Sequence, residues 1–416
     1  MRIITDFHLH SKWSRACSKN LTLPNIARAC EIKGIGFVGT SDAFHPAWRE
    51  DIGKLLEDVG EGAFSLKDSS SPTRFLLSTE ISCIYKRADK VRRVHHLILF
   101  PNLAALDRLT KALNDRGCNL KSDGRPIVGI DSEELLKMTL EADPRCLFIP
   151  AHAWTPWFAI FGSQSGFNAI EECFGEEGAK NIYAIETGLS SDPAMNWRLS
   201  ALDRVFLVSN SDAHSPENLG REANVFEMER PSFDELRRIF VEHDASKFIE
   251  TIEFFPEEGK YHTDGHRACD FWCEPEETKK RNGICPKCGK PLTIGVLHRI
   301  SDLADRDPHP PRPERSVPFR SIVPLAEILS SVVGVSPKSK RVATEVKRFH
   351  DAKVSEFAVL LDLPEAELAS ISSPEIVAAI MAVRRGDVDL TLGYDGEYGV
   401  IRPRTSFQKA VQSPLF

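Results

Sequence analysis

Short apolar runs alternate with segments of helical character through the first 215 residues of this 416-residue chain. An apolar run bounded by polar or turn residues indicates a strand, whereas apolar residues spaced three and four apart indicate a helix. The runs that indicate strands cover residues 2–10, 35–42, 74–80, 94–100, 146–152, 181–187 and 205–212. The segments of helical character include residues 23–33, 103–117, 131–142 and 232–242. This alternation predicts an α/β fold with a mainly parallel sheet, and seven such runs favour a barrel.

Residue types that bind metals stand at or near the ends of these runs. The first run ends in His8 and His10, whose side chains point the same way because alternate positions of a strand share a face. The complete set is His8, His10, Asp42, Glu80, His95, His96, His152, Glu186, Asp212 and His214. In a parallel barrel the carboxyl ends of the strands meet on one face, so these side chains are expected to converge there.

Histidine nitrogens together with carboxylate oxygens suit divalent metals such as Zn, Mn, Fe or Mg. Clustered carboxylates can bridge two or three ions, and such ions clamp a phosphoryl group and generate hydroxide at neutral pH. The set therefore predicts a hydrolase with two or three metals that acts on a phosphate ester. The residue types alone do not distinguish it from a carbon–nitrogen hydrolase that uses similar ligands.

Four of the ten cysteines are concentrated after residue 258. The pattern is Cys-x3-Cys-x11-Cys-x2-Cys, formed by Cys269, Cys273, Cys285 and Cys288. Four ligands at such a spacing predict one structural zinc ion, whose binding energy holds a segment too small to fold alone. Cys273 fits the spacing as the fourth ligand, but His266 lies just upstream and competes for that position.

Changes in composition and in the pattern of apolar residues divide the chain into five parts. Residues 1–258 form the predicted barrel, 259–304 the zinc-binding module, and 305–320 a proline-rich linker. Residues 321–400 are predicted to be mainly helical, and residues 401–416 to form a flexible tail.

The composition is typical of a soluble globular protein, with 42% hydrophobic and 27% charged residues. There is neither a signal-peptide pattern nor an apolar run of membrane-spanning length, so a cytoplasmic protein without a membrane partner is expected. Residues 1–258 carry 30 Lys and Arg against 39 Asp and Glu, whereas residues 259–416 carry 23 against 21. This balance neither indicates nor excludes a polyanionic partner, because bound cations would offset acidic ligands.

The ordered motifs "DFHLH", "HHLILF", "PAH", "IET" and "SDAH" resemble those of the polymerase-and-histidinol-phosphatase (PHP) family. The resemblance implies a distorted seven-stranded barrel with a trinuclear metal centre. It also implies that the metal ligands are His8, His10, Asp42, Glu80, one of His95 and His96, His152, Glu186, Asp212 and His214. We expect His8, His10, Glu80, His152, Asp212 and His214 to serve catalysis. Relatives often have Asp-His where this chain has "SDAF", and His45 is a candidate substitute.

A barrel of this kind followed by a zinc segment resembles the endonuclease Q family over nearly the whole chain. The more specific motifs are "AHAWTPWFAIFGSQSGF", "SNSDAHSPENLGREA", "YHTDGHRAC", "CPKCGKPLTIGVLHRI" and "GYDGEYG". The resemblance implies that the protein nicks DNA on the 5′ side of deaminated bases (uracil, hypoxanthine, xanthine) and abasic sites. A small-molecule phosphatase acting on histidinol phosphate or a nucleotide is the alternative.

Some residues are candidates for contacts with DNA. Trp154 and Trp157 follow a predicted metal ligand and could stack on an unpaired base. Arg221 and Arg299 lie inside the resembling motifs and could contact phosphate or a base edge. The tail sequence "QKAVQSPLF" (408–416) is a candidate site for docking on a replication clamp.

Overall fold

The structure is a computed structural model that describes residues 1–405. The helices are α1 Leu23–Lys33, α2 Pro46–Leu55, α3 Leu103–Asp115, α4 Ser132–Ala142, α5 Ile170–Ala179, α6 Pro193–Asn196, α7 Phe233–Glu242, α8 Pro275–Lys280, α9 Val296–Leu303, α10 Leu325–Val333, α11 Lys340–Asp351, α12 Glu365–Ile371 and α13 Pro374–Arg384. The strands are β1 Arg2–Asp6, β2 Phe37–Gly39, β3 Leu56–Gly60, β4 Ala63–Leu66, β5 Arg74–Arg87, β6 Lys90–Phe100, β7 Ile127–Val128, β8 Leu147–Pro150, β9 Ala184–Glu186, β10 Phe206–Val208, β11 Ala223–Glu227, β12 Phe248–Phe254, β13 Asp264–His266, β14 Phe271–Cys273, β15 Phe319–Ile322, β16 Val388–Thr391 and β17 Val400–Pro403.

The predicted α/β class is confirmed, and the seven predicted runs correspond to β1, β2, β5, β6, β8, β9 and β10. Strand β1 pairs in parallel with β2, and β2 with β5, as expected. Strands β5 and β6 instead form a long antiparallel hairpin, so β5 continues past residue 80, where the predicted run ends. Its two turn residues, Ala88 and Asp89, have φ of 50° and 58°, which matches the twist of a tight hairpin.

The parallel pair β9–β10 lies between β8 and β1, so that it continues the row of strands whose ends surround the site. Strand β8 connects to β9 through the Ala153 amide, which donates to the Glu186 carbonyl at 2.9 Å. On the other side the amide of His10 donates to the Ala213 carbonyl at 2.9 Å. Each of these joins is a backbone hydrogen bond and not a run of paired residues, and within residues 1–405 no continuous ladder closes the strands into a regular barrel.

The C-terminal region is attached to the same sheet. Strand β15 begins inside the segment predicted as a linker and pairs in parallel with β12. Helices α10 to α13 follow, and β16 and β17 form an antiparallel pair after them. The predicted tail boundary at residue 401 falls inside β17, and the candidate clamp sequence at 408–416 lies outside the described residues.

A charge network also joins the N-terminal strand to this region. Arg2 and Arg320 both contact Glu250 at 2.6 Å, and both also reach Asp362. Because two cations share two carboxylates, the network fixes the C-terminal helices against β1 and β12 more firmly than an isolated surface pair would. In the described part of the chain, none of the helices has the length and apolarity needed to span a bilayer.

Candidate metal centres

Four predicted ligands converge where β1, β5 and β10 approach one another. The ligand atoms of His8, His10, Glu80 and Asp212 all lie within 4.8 Å of one another. The Nε2 atom of His10 lies 3.0 Å from Asp212 Oδ1 and 3.3 Å from Glu80 Oε2. The Nε2 atom of His8 lies 3.5 Å from the same Glu80 oxygen. Two nitrogens and two carboxylates at this spacing match the ligand set of a divalent transition metal.

A second group shares Glu80 with the first. His95 Nδ1 lies 2.6 Å from Glu80 Oε1, and His152 Nε2 lies 3.2 Å from the same oxygen. Glu80 therefore turns one oxygen to each group of histidines. A carboxylate placed in this way can bridge two metal ions.

Asp42 and Glu186 contact the Nδ1 atoms of His10 and His8, whereas the Nε2 atoms of these rings face the first group. Both oxygens of Glu186 are 3.0 Å from His8 Nδ1, and Asp42 Oδ1 is 3.1 Å from His10 Nδ1. A carboxylate on Nδ1 fixes the histidine tautomer and leaves Nε2 to bind a metal. The resemblance implied direct ligation by Asp42 and Glu186, which stays a prediction; among the described residues they contact Nδ1 atoms and stand outside the clustered ligand atoms.

The two supporting carboxylates are themselves held in place. Asp42 accepts hydrogen bonds from the Ser11 amide at 2.6 Å and the Ser14 hydroxyl at 2.8 Å. Glu186 accepts from the His152 amide at 2.7 Å and from Asn210 at 2.9 Å. With these lone pairs occupied, both carboxylates remain oriented toward the histidines.

The buried atoms at the centre fit a metal. Within residues 1–405, His8 Nε2 is buried and has no hydrogen-bond partner. A buried polar atom without a partner is costly, and a cation held between the histidines and Glu80 would satisfy it. The donor set and this unpartnered nitrogen thus agree with the expected metal centre.

Four residues at the same place have strained backbone conformations. The φ angles of Ser41, Asp42, His152 and Asp212 are 55°, 45°, 29° and 45°. Non-glycine residues adopt this left-handed region at an energetic cost, and such residues cluster at functional sites. The surrounding packing therefore maintains these conformations to aim the side chains.

Arg125 is a member of the site that the sequence analysis missed. Its Nη1 lies 3.2 Å from Glu80 Oε2. Burial acts to raise the pKa of Glu80, but Arg125 and the neighbouring histidines hold that pKa well below its usual value. Burial acts in the opposite sense on His8 and His10, yet the adjacent carboxylates raise the pKa of both rings.

His214 and His45 lie beside the clusters. The His214 ring is centred 4.6 Å from that of His10, and its Nδ1 donates to the Asp212 carbonyl at 2.8 Å. Burial lowers the pKa of His214. His45 donates from Nε2 to the Lys121 carbonyl at 3.2 Å, so this nitrogen does not face the cluster.

The structure separates the two adjacent histidines of β6. His95 faces Glu80, whereas His96 points to the opposite side of the strand, because side chains alternate along it. His96 Nε2 contacts the Ser132 hydroxyl at 2.8 Å, and its ring packs against Phe148. Burial lowers the pKa of His96 to about 3, so it is a neutral core residue.

We expect His95→Gln to reduce metal-dependent hydrolysis on the order of 100-fold or more, because a ligand of the second group is lost. The matched variant His96→Gln should retain the rate of the chemical step. It should instead lower the free energy of unfolding by about 1–3 kcal/mol, because a buried hydrogen bond is disturbed. Steady-state kinetics and thermal unfolding of both variants test this pair, and equal rate losses in the two variants would contradict it.

The cysteine cluster forms a separate site. His266, Cys269, Cys285 and Cys288 place their ligand atoms within 4.8 Å of one another. Cys273 instead contacts the Thr278 hydroxyl at 3.1 Å. The geometry therefore favours His266 as the fourth member.

The local backbone prepares Cys285 to bind a cation. Burial acts to raise the pKa of Cys285, but the amides of Lys287 and Cys288 lower the pKa to about 7. A thiol with this pKa is readily deprotonated, and the thiolate is the form that binds a metal.

Trp154 and Trp157 occupy different environments. Trp154 is 1% exposed, donates from Nε1 to Asn196 at 2.7 Å, and packs against Phe161. The expectation that Trp154 stacks on a base is therefore corrected, because its indole has no accessible face. Trp157 is partly exposed, with its ring centred 6.0 Å from that of Tyr261, and it stays a candidate.

Arg221 and Arg299 mainly bind the protein's own backbone. Arg221 donates to the carbonyls of Ser211 and Asp212 at 2.8 and 3.3 Å. Arg299 donates to the carbonyls of Phe161 and Phe167 at 2.9 and 3.0 Å. Arg221 thus supports the strained loop that carries Asp212, and Arg299 fixes the loop after His152.

An α/β sheet that carries two groups of residues able to hold a metal ion, joined by one carboxylate, is an arrangement typical of metal-dependent hydrolases. Residues 324–387 match the family described as the MJ0043 C-terminal domain. The uncharacterized protein YqxK of Bacillus subtilis (strain 168) is 30% identical to this chain, and the match covers 97% of this chain and 100% of YqxK.

Two solved structures match along the whole chain. The lesion-specific endonuclease PfuEndoQ from Pyrococcus furiosus is 32% identical with a TM-score of 0.86, covering 99% of this chain and 98% of that one. Endonuclease Q in complex with a 27-mer duplex substrate, with an abasic lesion at the active site, is 32% identical with a TM-score of 0.87 and covers 100% of both chains. The chain belongs to the endonuclease Q family.

Proposed function

We propose that this protein is a lesion-specific DNA repair endonuclease. It hydrolyses the phosphodiester on the 5′ side of a deaminated base (uracil, hypoxanthine or xanthine) or an abasic site. The observation that carries the proposal is Glu80, which contacts both groups of histidines through different oxygens. The full-length similarity to solved endonucleases of this family supports DNA as the substrate.

Differences in exposure locate the opening of the site. The side chains of His8, His10 and Glu80 are at most 1% exposed. Those of Asp212, Arg125 and His214 are 26%, 28% and 34% exposed. The substrate phosphate therefore approaches from the side of these three residues, and the buried histidines form the floor.

His8, His10, Glu80 and Asp212 would hold one divalent ion, and Glu80, His95 and His152 a second. Ions held there would supply Lewis-acid chemistry: activation of the attacking water, and stabilisation of the charge on the phosphate and the leaving oxygen. Glu186 and Asp42 keep the Nε2 atoms of His8 and His10 directed at the first position.

His266, Cys269, Cys285 and Cys288 would bind one structural zinc ion. The site is built from the loop around β13 and the turn that follows α8, which are short elements with a small apolar core. A closed four-ligand zinc site provides folding energy that so few apolar residues do not.

The test uses labelled duplexes that carry one uracil, hypoxanthine, xanthine or abasic site, together with an undamaged duplex. Each is incubated with Mg²⁺, Mn²⁺ or EDTA, and the cut is mapped at nucleotide resolution. We expect a metal-dependent nick on the 5′ side of the lesion and none in the undamaged duplex. Phosphate release from histidinol phosphate or a nucleotide without any nick would overturn the proposal in favour of a small-molecule phosphatase.

A further inference from the structure

Two loops form one side of the opening of the metal centre, and neither contains a predicted metal ligand. They are residues 11–15, which follow His10, and residues 121–127, which include Arg125; together they are termed the rim. Trp13 is 40% exposed and Ile127 is 54% exposed. Trp13 therefore exposes part of a large aromatic side chain beside a buried polar site.

The rim is rigid because the two loops are bonded to each other. Asp123 Oδ1 accepts from the backbone amides of Arg15 and Arg125, each at 3.2 Å. The amide of Gly124 donates to the Trp13 carbonyl at 3.2 Å. At Gly124 a Cβ atom would lie 2.2 Å from an Asp42 oxygen, so the loop packs tightly against the site. A surface fixed in this way loses little freedom when it binds.

The Trp13 ring packs against His45. Its ring lies 4.8 Å from that of His45 with an interplanar angle of 16°, which is a stacked arrangement. His45 is fixed in turn by its bond to the Lys121 carbonyl. Lys12 Nζ also lies over the ring, 5.5 Å from its centroid, and the exposed part of the held indole offers a surface on which a nucleobase can stack, whatever the base.

Arg125 lies at the inner edge of the rim. Among the contacts of residues 1–405, its side chain donates only from Nη1, to Glu80. A guanidinium carries five N–H donors, so others are available to a phosphate at the opening. Lys121 adds positive charge to the outer part of the same loops, as does Arg15, whose side chain is 75% exposed and pairs with Asp123 at 3.4 Å.

We propose that the rim binds the DNA strand that is cut. Trp13 stacks on a nucleobase next to the scissile phosphate, and Arg125 binds that phosphate. The inference rests on the proposed function, and it adds the residues that receive the strand. Phosphate contacts fix the position of a nucleic acid and stacking holds an unpaired base, so the two contacts together set the register of the cut.

The stacking contact is tested with 2-aminopurine placed on either side of the scissile phosphate of an abasic duplex. Fluorescence and affinity are measured without added Mg²⁺ or Mn²⁺ and without a chelator, so that cleavage is not supported and the zinc module keeps its ion. The wild-type protein should quench the probe in at least one position. Trp13→Ala should abolish that quenching and weaken binding about 10-fold, whereas Trp13→Phe should retain most of both. Trp272→Ala, which removes an equally exposed indole from the zinc module, should leave the quenching unchanged.

The phosphate contact is tested by the salt dependence of binding under the same conditions, without added Mg²⁺ or Mn²⁺ and without a chelator. Arg125→Ala should reduce the slope of log affinity against log salt by about 0.9, and Arg125→Lys should restore it. Arg49→Ala is the matched control, because Arg49 is 27% exposed and also paired with a carboxylate, Asp107. Its slope should equal that of the wild type.

The outcomes separate the inference from the function on which it rests. If the wild type nicks lesion duplexes but Trp13→Ala and Arg125→Ala bind with unchanged quenching and slope, the rim proposal is overturned and the function stands. If the wild type neither binds nor nicks lesion DNA, both are overturned. Circular dichroism and thermal unfolding confirm that each variant is folded, and Trp13→Phe and Arg125→Lys provide readouts if an alanine variant fails to fold.

Discussion

Asp212→Asn is expected to lower the rate of lesion cleavage on the order of 10³-fold. Asp212 places a carboxylate oxygen 3.0 Å from His10 Nε2 and is the most exposed member of the first group of ligands. Removing its negative charge weakens the hold on the ion, and a loss of about 4 kcal/mol of transition-state stabilisation corresponds to that factor. Asparagine is chosen because the φ of 45° at this position suits Asn and penalises Ala.

The fold should survive this substitution, since Asn retains the size and the backbone conformation of Asp. Asp203→Asn is a suitable control, because Asp203 pairs with Arg306 on the surface and lies outside both groups. Cleavage rates with saturating Mn²⁺, metal content and melting temperature are compared for the three proteins. Undiminished cleavage by metal-depleted Asp212→Asn protein would refute the assignment of the site.

The second large effect is expected at the cysteine cluster. Cys285→Ser should remove one equivalent of zinc per chain and unfold the module, because zinc contributes about 10 kcal/mol to the folding of comparable small sites. Cys273→Ser is the matched control, since Cys273 is also buried but contacts Thr278 rather than the cluster. It should retain the full complement of zinc.

Metal analysis by mass spectrometry and limited digestion with trypsin measure this difference. Trypsin should cut rapidly within residues 267–290 of Cys285→Ser and slowly in the wild type and in Cys273→Ser. Loss of zinc from Cys273→Ser with retention by a His266→Ala variant would reverse the choice of the fourth ligand.

The sequence predicted the strands and many of the residues that surround the site. His8 and His10 follow from the two-residue period of a strand, which places both on one face whatever the rest of the fold. The same reasoning did not separate ligands from their supports. Asp42 and Glu186 have the residue types of ligands, but only the positions of His8 and His10 relative to them show that they bind Nδ1 atoms.

The choices that sequence left open depend on register and direction. One of His95 and His96 had to face the site, but the pairing of β6 with β5, which sets Ser82 opposite His95, decides which. Trp154 was chosen for its position after His152, although nothing in the sequence tells on which side of a loop an indole lies. Arg125 belongs to no strand or motif. The signal available for it was the preceding Gly124, where any side chain would collide with Asp42.

The connectivity of the sheet also determines when each centre can form. His10 and Asp212 are 202 positions apart, and β1 pairs with β11 as well as with β2, so the first site needs long-range closure. His266 and Cys288 are only 22 positions apart. Because non-local contacts form slowly and local loops close rapidly, a refolding chain should take up its structural ion long before the hydrolytic centre is complete. A chain whose synthesis stops before Asp212 therefore contains His8 and His10 but cannot form the first metal centre.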